Sequence, residues 1–314
     1  MKNWKQEDLE RLVICRQEGM TWDQIHLIFT EHSPNALRKT YYRHMRLDEN
    51  TVEETSSTPK VLIFDIETAP MEAFVWGLFD QNIGLEMVKT DWSVLSFSAK
   101  WLGAPEDEVM YQDNRDIEDP RDDSKLLKTI HSLLDEADIV ITQNGIRFDA
   151  PKLNARFVLN GMKPPSSYRH IDTLRIAKRN FNFTSNKLAY MTDKLCTKYK
   201  KLDHAEFSGF RLWAECLKHN PKAWNEMEKY NKYDVLSLEE LYLILRPWDK
   251  TINFSVFNES LEDRCSCGSL HIEAKGFVYT NLAKYVRYVC KDCGKESRDA
   301  QNLLTKEKRK SIKR

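Results

Sequence analysis

Several features are missing from this 314-residue chain, and each absence removes a class of protein. There is no long apolar run. The longest, such as Val61-Leu62-Ile63-Phe64 and Ile139-Val140-Ile141, fall far short of the ~20 residues that span a bilayer. Met1 to Glu10 is polar and acidic and lacks the apolar core of a secretion signal, so a cytoplasmic location is expected. No segment repeats internally. Three of the seven cysteines, Cys15, Cys196 and Cys216, stand alone, as in a reduced cytosolic protein rather than a disulfide scaffold. Net charge is absent too, with 48 Lys and Arg against 48 Asp and Glu.

That zero conceals a pattern. Residues 1–46 carry eight Lys/Arg against six Asp/Glu, and residues 263–314 carry thirteen against six, which leaves the middle of the chain at −9. An acidic middle between basic ends suits a cation-binding core flanked by segments that touch a polyanion.

Composition divides the chain along the same lines. Residues 1–46 read as helical. Leu47 to Pro59 is acidic, rich in Ser and Thr and without periodicity, which is the signature of a linker. From 60 to about 250, strand-like and helix-like patterns alternate. Strands are expected at Lys60–Glu67, Trp92–Trp101, Glu108–Gln112 and Asp138–Thr142, with a short strand or turn from Ile171. Ser124–Glu136 places Leu126, Leu127, Ile130, Leu133 and Leu134 on one helical face. Further helices are expected at Ala150–Leu159, Leu188–Lys198, Gly209–His219 and Pro221–Leu245. Strands followed by alternating strands and helices make an α/β fold with a mixed sheet.

The first strand ends Phe64-Asp65-Ile66-Glu67-Thr68. Alternation sends Asp65 and Glu67 to one face with Val61 and Ile63, and Leu62, Phe64 and Ile66 to the other. Two carboxylates at the end of an apolar strand are costly unless a cation compensates them, and Mg²⁺ and Mn²⁺ favour carboxylate oxygen. Gln143-Asn144-Gly145-Ile146-Arg147-Phe148-Asp149 follows another strand and opens a helix. Asp149 therefore lies beyond a strand end, where ligands gather in α/β sheets, although an ordinary cap would look the same. In Tyr230-Asn231-Lys232-Tyr233-Asp234, Tyr230 and Asp234 are one helical turn apart.

In order and spacing these three segments resemble the exonuclease motifs of the DEDD superfamily: D-I-E-T, N-x3-F-D and Y-x3-D. Tyr230, four residues before Asp234, places the likeness in the tyrosine branch (DEDDy). Phe97-Ser98-Ala99-Lys100-Trp101, His170-Ile171-Asp172-Thr173-Leu174 and Ser185-Asn186-Lys187-Leu188 resemble the YprB-like group of bacteria and phages. The likeness covers about residues 60–248; Gln143 stands where that group often has histidine.

The resemblance implies a ribonuclease-H-like fold and 3′–5′ phosphodiester hydrolysis with two Mg²⁺ or Mn²⁺ ions. Asp65 would bridge both ions, Glu67 and Asp234 would complete the ligands of one, Asp149 would serve the other, and Tyr230 would position the attacking water. Asp172 reads as a helix cap.

The ends carry their own signals. Trp4, Leu9, Leu12, Trp22, Ile25, Phe29, Leu37 and Tyr41 space three short helices, with Thr21 opening the second and Ser33-Pro34 the third. The pattern resembles a Myb/SANT-like helix-turn-helix module whose third helix would offer Arg38, Lys39, Arg43 and Arg46 to DNA, although such modules also bind proteins. Cys265-x-Cys267 and Cys290-x2-Cys293, each pair followed by glycine, suit one structural Zn²⁺ in a ribbon over 263–297, followed by a basic tail over 298–314. Lys284 and Arg287 lie there among tyrosines, a mixture suited to single-stranded nucleic acid.

The expectation is a nuclease acting from a 3′ end on nucleic acid, DNA foremost, with any polymerase or replication protein supplied separately. Two alternatives stay open: a DNA-binding regulator with an inert nuclease fold, and a structure-specific endonuclease of the same fold.

Overall fold

Thr21 accepts a hydrogen bond from the Gln24 amide, while the Gln24 side chain accepts one from the Thr21 amide. This reciprocal cap starts helix α2 (Trp22–Ile28) after α1 (Gln6–Gln17). The computed structural model describes residues 5–18, 20–32, 34, 36–37, 40–41, 58–201, 206–258 and 262–313. Contacts divide the chain into two units, 1–57 and 58–314. In the first, Leu12, Cys15, Ile25 and Leu37 form a small core, covered by Met20, Trp22, Phe29 and Tyr41.

In the second unit the strand expected around Asp65 forms as β1 (Val61–Thr68). A short hairpin follows, made by β2 (Glu72–Ala73) and β3 (Val88–Thr90). β4 (Val94–Trp101) then returns antiparallel to β1, and β5 (Met110–Asp113) pairs antiparallel with β4. Helix α3 (Ser124–Glu136) leads to β6 (Ile139–Thr142), parallel to β1. Helix α4 (Asp149–Leu159) leads to β7 (Arg169–Asp172), parallel to β6. The sheet order is β5-β4-β1-β6-β7, so the carboxylate strand is central and the sheet is mixed.

The parity of β1 sorts two cores. Val61 and Ile63 join Ile139, Ile141 and Ile171 under α8 (Pro221–Leu245), through Val235, Leu238, Leu241 and Leu245. Leu62, Phe64 and Ile66 face Leu126, Leu127 and Ile130 of α3 and Leu153 and Phe157 of α4. Each such side chain contributes about 1.5–3 kcal/mol by leaving water.

Between β7 and α8 lie α5 (Thr173–Asn180), α6 (Leu188–Leu195) and α7 (Arg211–Cys216). α6 stops three residues before the expected Lys198. The reason is Glu240, whose carboxylate accepts hydrogen bonds from the amides of Thr197, Lys198 and Tyr199 and holds them out of a helix. α7 is likewise shorter than the expected 209–219; the chain turns at His219, whose φ is 58°. α8 begins where expected, with Pro221 at its first position and the Asn220 side chain accepting from the Lys222 amide.

The cysteines lie beside a second sheet, ordered β10-β9-β8, with β8 Ile272–Thr280, β9 Ala283–Cys290 and β10 Glu296–Arg298. Backbone bonds from Asp299 to Val286 and from Leu303 to Lys284 continue the pairing past β10. The last helix is α9 (Lys306–Ser311), capped by Thr305.

Candidate functional site

β1 carries Asp65 and Glu67 out on one face, and α8 crosses that face. The helical repeat gives α8 one stripe on which Tyr230, Asn231 and Asp234 are all buried. The two elements bring one oxygen each of Asp65, Glu67 and Asp234 within 4.8 Å of one another.

Each carboxylate has a holder. Asn231 Nδ2 donates to Asp65 Oδ2 at 2.7 Å, and Ser96 Oγ of β4 donates to Asn231 Oδ1 at 3.2 Å. Trp213 Nε1 of α7 donates to Glu67 Oε2 at 3.0 Å. Lys201 Nζ lies 2.5 Å from Asp234 Oδ2 and 4.4 Å from the centre of the Tyr230 ring. The Trp213 ring meets Tyr230 edge-on, with centroids 6.2 Å apart.

Asp149 opens α4 as expected, but its carboxylate is turned to β1: Oδ1 accepts from the Ile66 amide at 3.2 Å. The structure thus groups three of the four carboxylates and seats the fourth against the strand between Asp65 and Glu67. Asp172 caps α5 by accepting from Leu174 N, and the same oxygen accepts from Asn144 N. Gln143 is a strut: it donates to Asn186 O and accepts from Thr173 Oγ1.

Charge is crowded here. Burial raises the Asp65 carboxyl well above the ordinary carboxylate range, with Asp234, Asp149 and Glu67 adding to the effect. Burial, then Asp234, pushes Glu67 up to about 8, and burial pushes Asp149 up to about 7. Burial and Asp234 also raise the Tyr230 phenol, which keeps it protonated at neutral pH. Lys201 is held above its usual range by Asp234 and Tyr230, which outweigh its own burial. Three converging carboxylates short of positive charge are a hard-oxygen donor set of the kind that Mg²⁺ and Mn²⁺ take.

Of the residues singled out in the sequence, Asp65, Glu67 and Asp234 converge here with Tyr230 nearby; Lys201, Trp213, Asn231 and Ser96, which surround them, were not singled out. Asn231 carried a signal, because it neighbours Tyr230 on the buried stripe. Lys201 carried none; Lys200-Lys201 reads as a solvated pair.

The second cluster is Cys265, Cys267, Cys290 and Cys293, whose sulfurs also lie within 4.8 Å of one another. None is in a disulfide. Sγ–Sγ separations are 3.6 Å for Cys265–Cys293 and 3.8 Å for Cys267–Cys290. A tetrahedron with Zn–S bonds of ~2.3 Å has edges of about 3.8 Å, which both separations match, so the four thiols suit a zinc ion.

The two basic residues singled out in this region part company. Lys284 shares a face with Phe277 and Tyr279, its ammonium 3.8 Å from the Phe277 ring centre. Arg287 is on the opposite face by strand parity and bonds Lys275 O through Nε at 2.7 Å. Arg38, Lys39, Arg43 and Arg46 lie outside the described residues.

Residues 97–246 match the RNase H superfamily. The span runs from β4 through α8 and holds Asp149, Tyr230 and Asp234; β1, with Asp65 and Glu67, precedes it. The five-stranded mixed sheet with flanking helices is a ribonuclease-H-like fold. Among solved structures, the family B DNA polymerase of the hyperthermophilic archaeon Pyrobaculum calidifontis is similar over 66% of this chain, at 13% identity and a TM-score of 0.43. The aligned part spans 27% of that polymerase chain. Among curated proteins, no sequence matches.

Proposed function

We propose that the ribonuclease-H-like domain is a divalent-cation-dependent nuclease that removes nucleotides from the 3′ end of nucleic acid, DNA foremost. The observation that carries this reading is the convergence of Asp65, Glu67 and Asp234 within 4.8 Å on the central strand and the crossing helix of this fold. Two Mg²⁺ or Mn²⁺ ions held by these residues and Asp149 would supply the nucleophile and the charge stabilisation that phosphodiester hydrolysis needs.

The protein's own groups do the positioning. Asn231, braced by Ser96, fixes the orientation of Asp65, and Trp213 fixes Glu67. Holding donors in place before the reaction lowers the cost of assembling the transition state. Tyr230, kept as a phenol, offers a hydroxyl that orients the attacking water. Lys201 neutralises Asp234 and brings a positive charge to where a phosphate would arrive. The four cysteines hold one Zn²⁺ with a structural role, since four thiolates leave no open coordination position.

The test uses 5′-labelled linear single strands of DNA and RNA, and circular strands of the same sequences, in Mg²⁺ or Mn²⁺. A ladder of shortened labelled products is expected from linear strands, with the circles intact. Asp65→Ala should abolish the ladder. Absence of any ladder from folded protein refutes the enzyme reading, and cut circles convert it to an endonuclease.

A further inference from the structure

The hairpin that leaves β1 after the carboxylates carries an unusual load. Within twelve residues, Phe74, Trp76, Leu78, Phe79 and Leu85 are exposed, Trp76 to 95% and Phe79 to 83%. Taking ~200 Å² per aromatic side chain, Phe74, Trp76 and Phe79 alone leave about 500 Å² of ring in water. That is a large sum for one short loop, given that the largest contiguous apolar patch on a typical monomer is about 300–600 Å² and often functional.

The loop is organised. Gln81 clips its tip, accepting from the Trp76 amide and donating to Phe79 O. Its foot is fixed by Arg121, which donates to Pro70 O and Asp91 O and pairs with Glu72. The foot is therefore tied to β1 only a few residues from Glu67.

Two further rings lie between the site and that foot in the chain's connections. Phe148, beside Asp149, is 40% exposed. Lys152 Nζ stands 5.2 Å from its ring centre and 3.7 Å from that of Trp92. Trp92 follows Asp91, which Arg121 joins to the hairpin. Two rings, Phe148 and Trp92, thus share one ammonium beside Asp149, and Arg121 ties Trp92's neighbour Asp91 to the foot of the hairpin.

The segment 71–87 contains no Lys or Arg and three acids, of which Glu72 is paired. Such a surface offers no cation to attract phosphates, the main electrostatic term in binding them. What it can hold is the one apolar part of a nucleic acid, the face of an unpaired base. We propose that the loop Phe74–Leu85 is a base-stacking wing for single-stranded nucleic acid engaged at the carboxylate site. The identity of the ligand rests on the nuclease reading above.

The test is binding without catalysis. In buffer without added Mg²⁺ or Mn²⁺, a fluorescent oligodeoxyadenylate and an abasic strand of equal length are titrated against wild type, Trp76→Ala, Phe79→Ala and the double variant. These side chains lie in solvent, so their removal leaves both cores untouched. Wild type should bind the base-bearing strand more tightly than the abasic one. Each substitution should weaken that binding about tenfold and leave the abasic strand unchanged. Unchanged binding of both strands, or equal weakening of both, overturns the proposal. So does a wild-type dimer that the substitutions convert to monomer without altering oligonucleotide binding, an outcome that assigns the rings to a second copy. Because no hydrolysis is measured, base-dependent binding by a chain that cuts nothing would sink only the nuclease reading.

Discussion

Asp65 and Glu67 were legible because strand alternation fixes a face and an apolar strand leaves carboxylates conspicuous; the groups that hold them were not. Asn231 and Trp213 reach their partners over 166 and 146 residues of sequence, and no local pattern records such a contact. Two predictions belong to this scale. Asn231→Ala leaves Asp65 without its brace and should lower Mn²⁺ affinity or turnover about 10–100-fold, the usual cost of removing a support from a metal ligand. Calorimetric titration and ladder rates measure the two. The second concerns protons. Between its ordinary 4.5 and about 8, Glu67 is protonated in the folded chain and ionised in the unfolded one, and Asp149 behaves alike from 3.8 to about 7. Folding takes up protons in that window, so the stability of the metal-free protein falls as pH rises through it. Thermal melts without added Mg²⁺ or Mn²⁺ from pH 5 to 8.5 should show a declining Tm, with Mg²⁺ reducing the decline. A Tm that rises across the window contradicts the crowding of charge at the site.

At the scale of elements, the long periodic segments and the buried strand β6 were read correctly, and the two- and three-residue strands were not. α3 and α8 end within their expected bounds because their apolar spacing persists for several turns. The β2–β3 hairpin was invisible, since two- and three-residue strands have no periodicity and its loop is apolar without being buried. α6 was over-extended because its end is set by Glu240, a partner more than forty residues away. Burial separates two leucines of α3 that the sequence placed on one face. Leu126 is wholly buried, whereas Leu133 is only partly so. Leu126→Ala should cost about 2–5 kcal/mol in urea unfolding, with Leu133→Ala well below it. Equal losses would mean that α3 does not lie against the sheet as described.

For the whole molecule, the uneven charge of the sequence finds a partial explanation in the structure. The acidic middle holds the carboxylate site, and the basic end holds the cysteine cluster and α9. The clustering of the four cysteines was legible from two close pairs on glycine turns, whereas the placing of Lys284 and Arg287 on opposite faces depends on strand pairing that only the fold reveals. The folded chain should bind one zinc. Cys290→Ser should lose that zinc and lower the Tm; a variant that melts like wild type would show the cluster to be dispensable.

The measurement that bears most directly on the central claim is Mn²⁺ binding to protein that keeps its zinc and is freed of Mg²⁺ and Mn²⁺, followed by electron paramagnetic resonance. Asp65→Asn and Asp234→Asn keep the shape of each side chain and remove its charge. The account predicts saturable binding by wild type, its loss in both variants, and its survival in Cys290→Ser. If the two asparagine variants bind Mn²⁺ as wild type does, the three converging carboxylates are not the cation site, and the hydrolytic reading built on them is wrong.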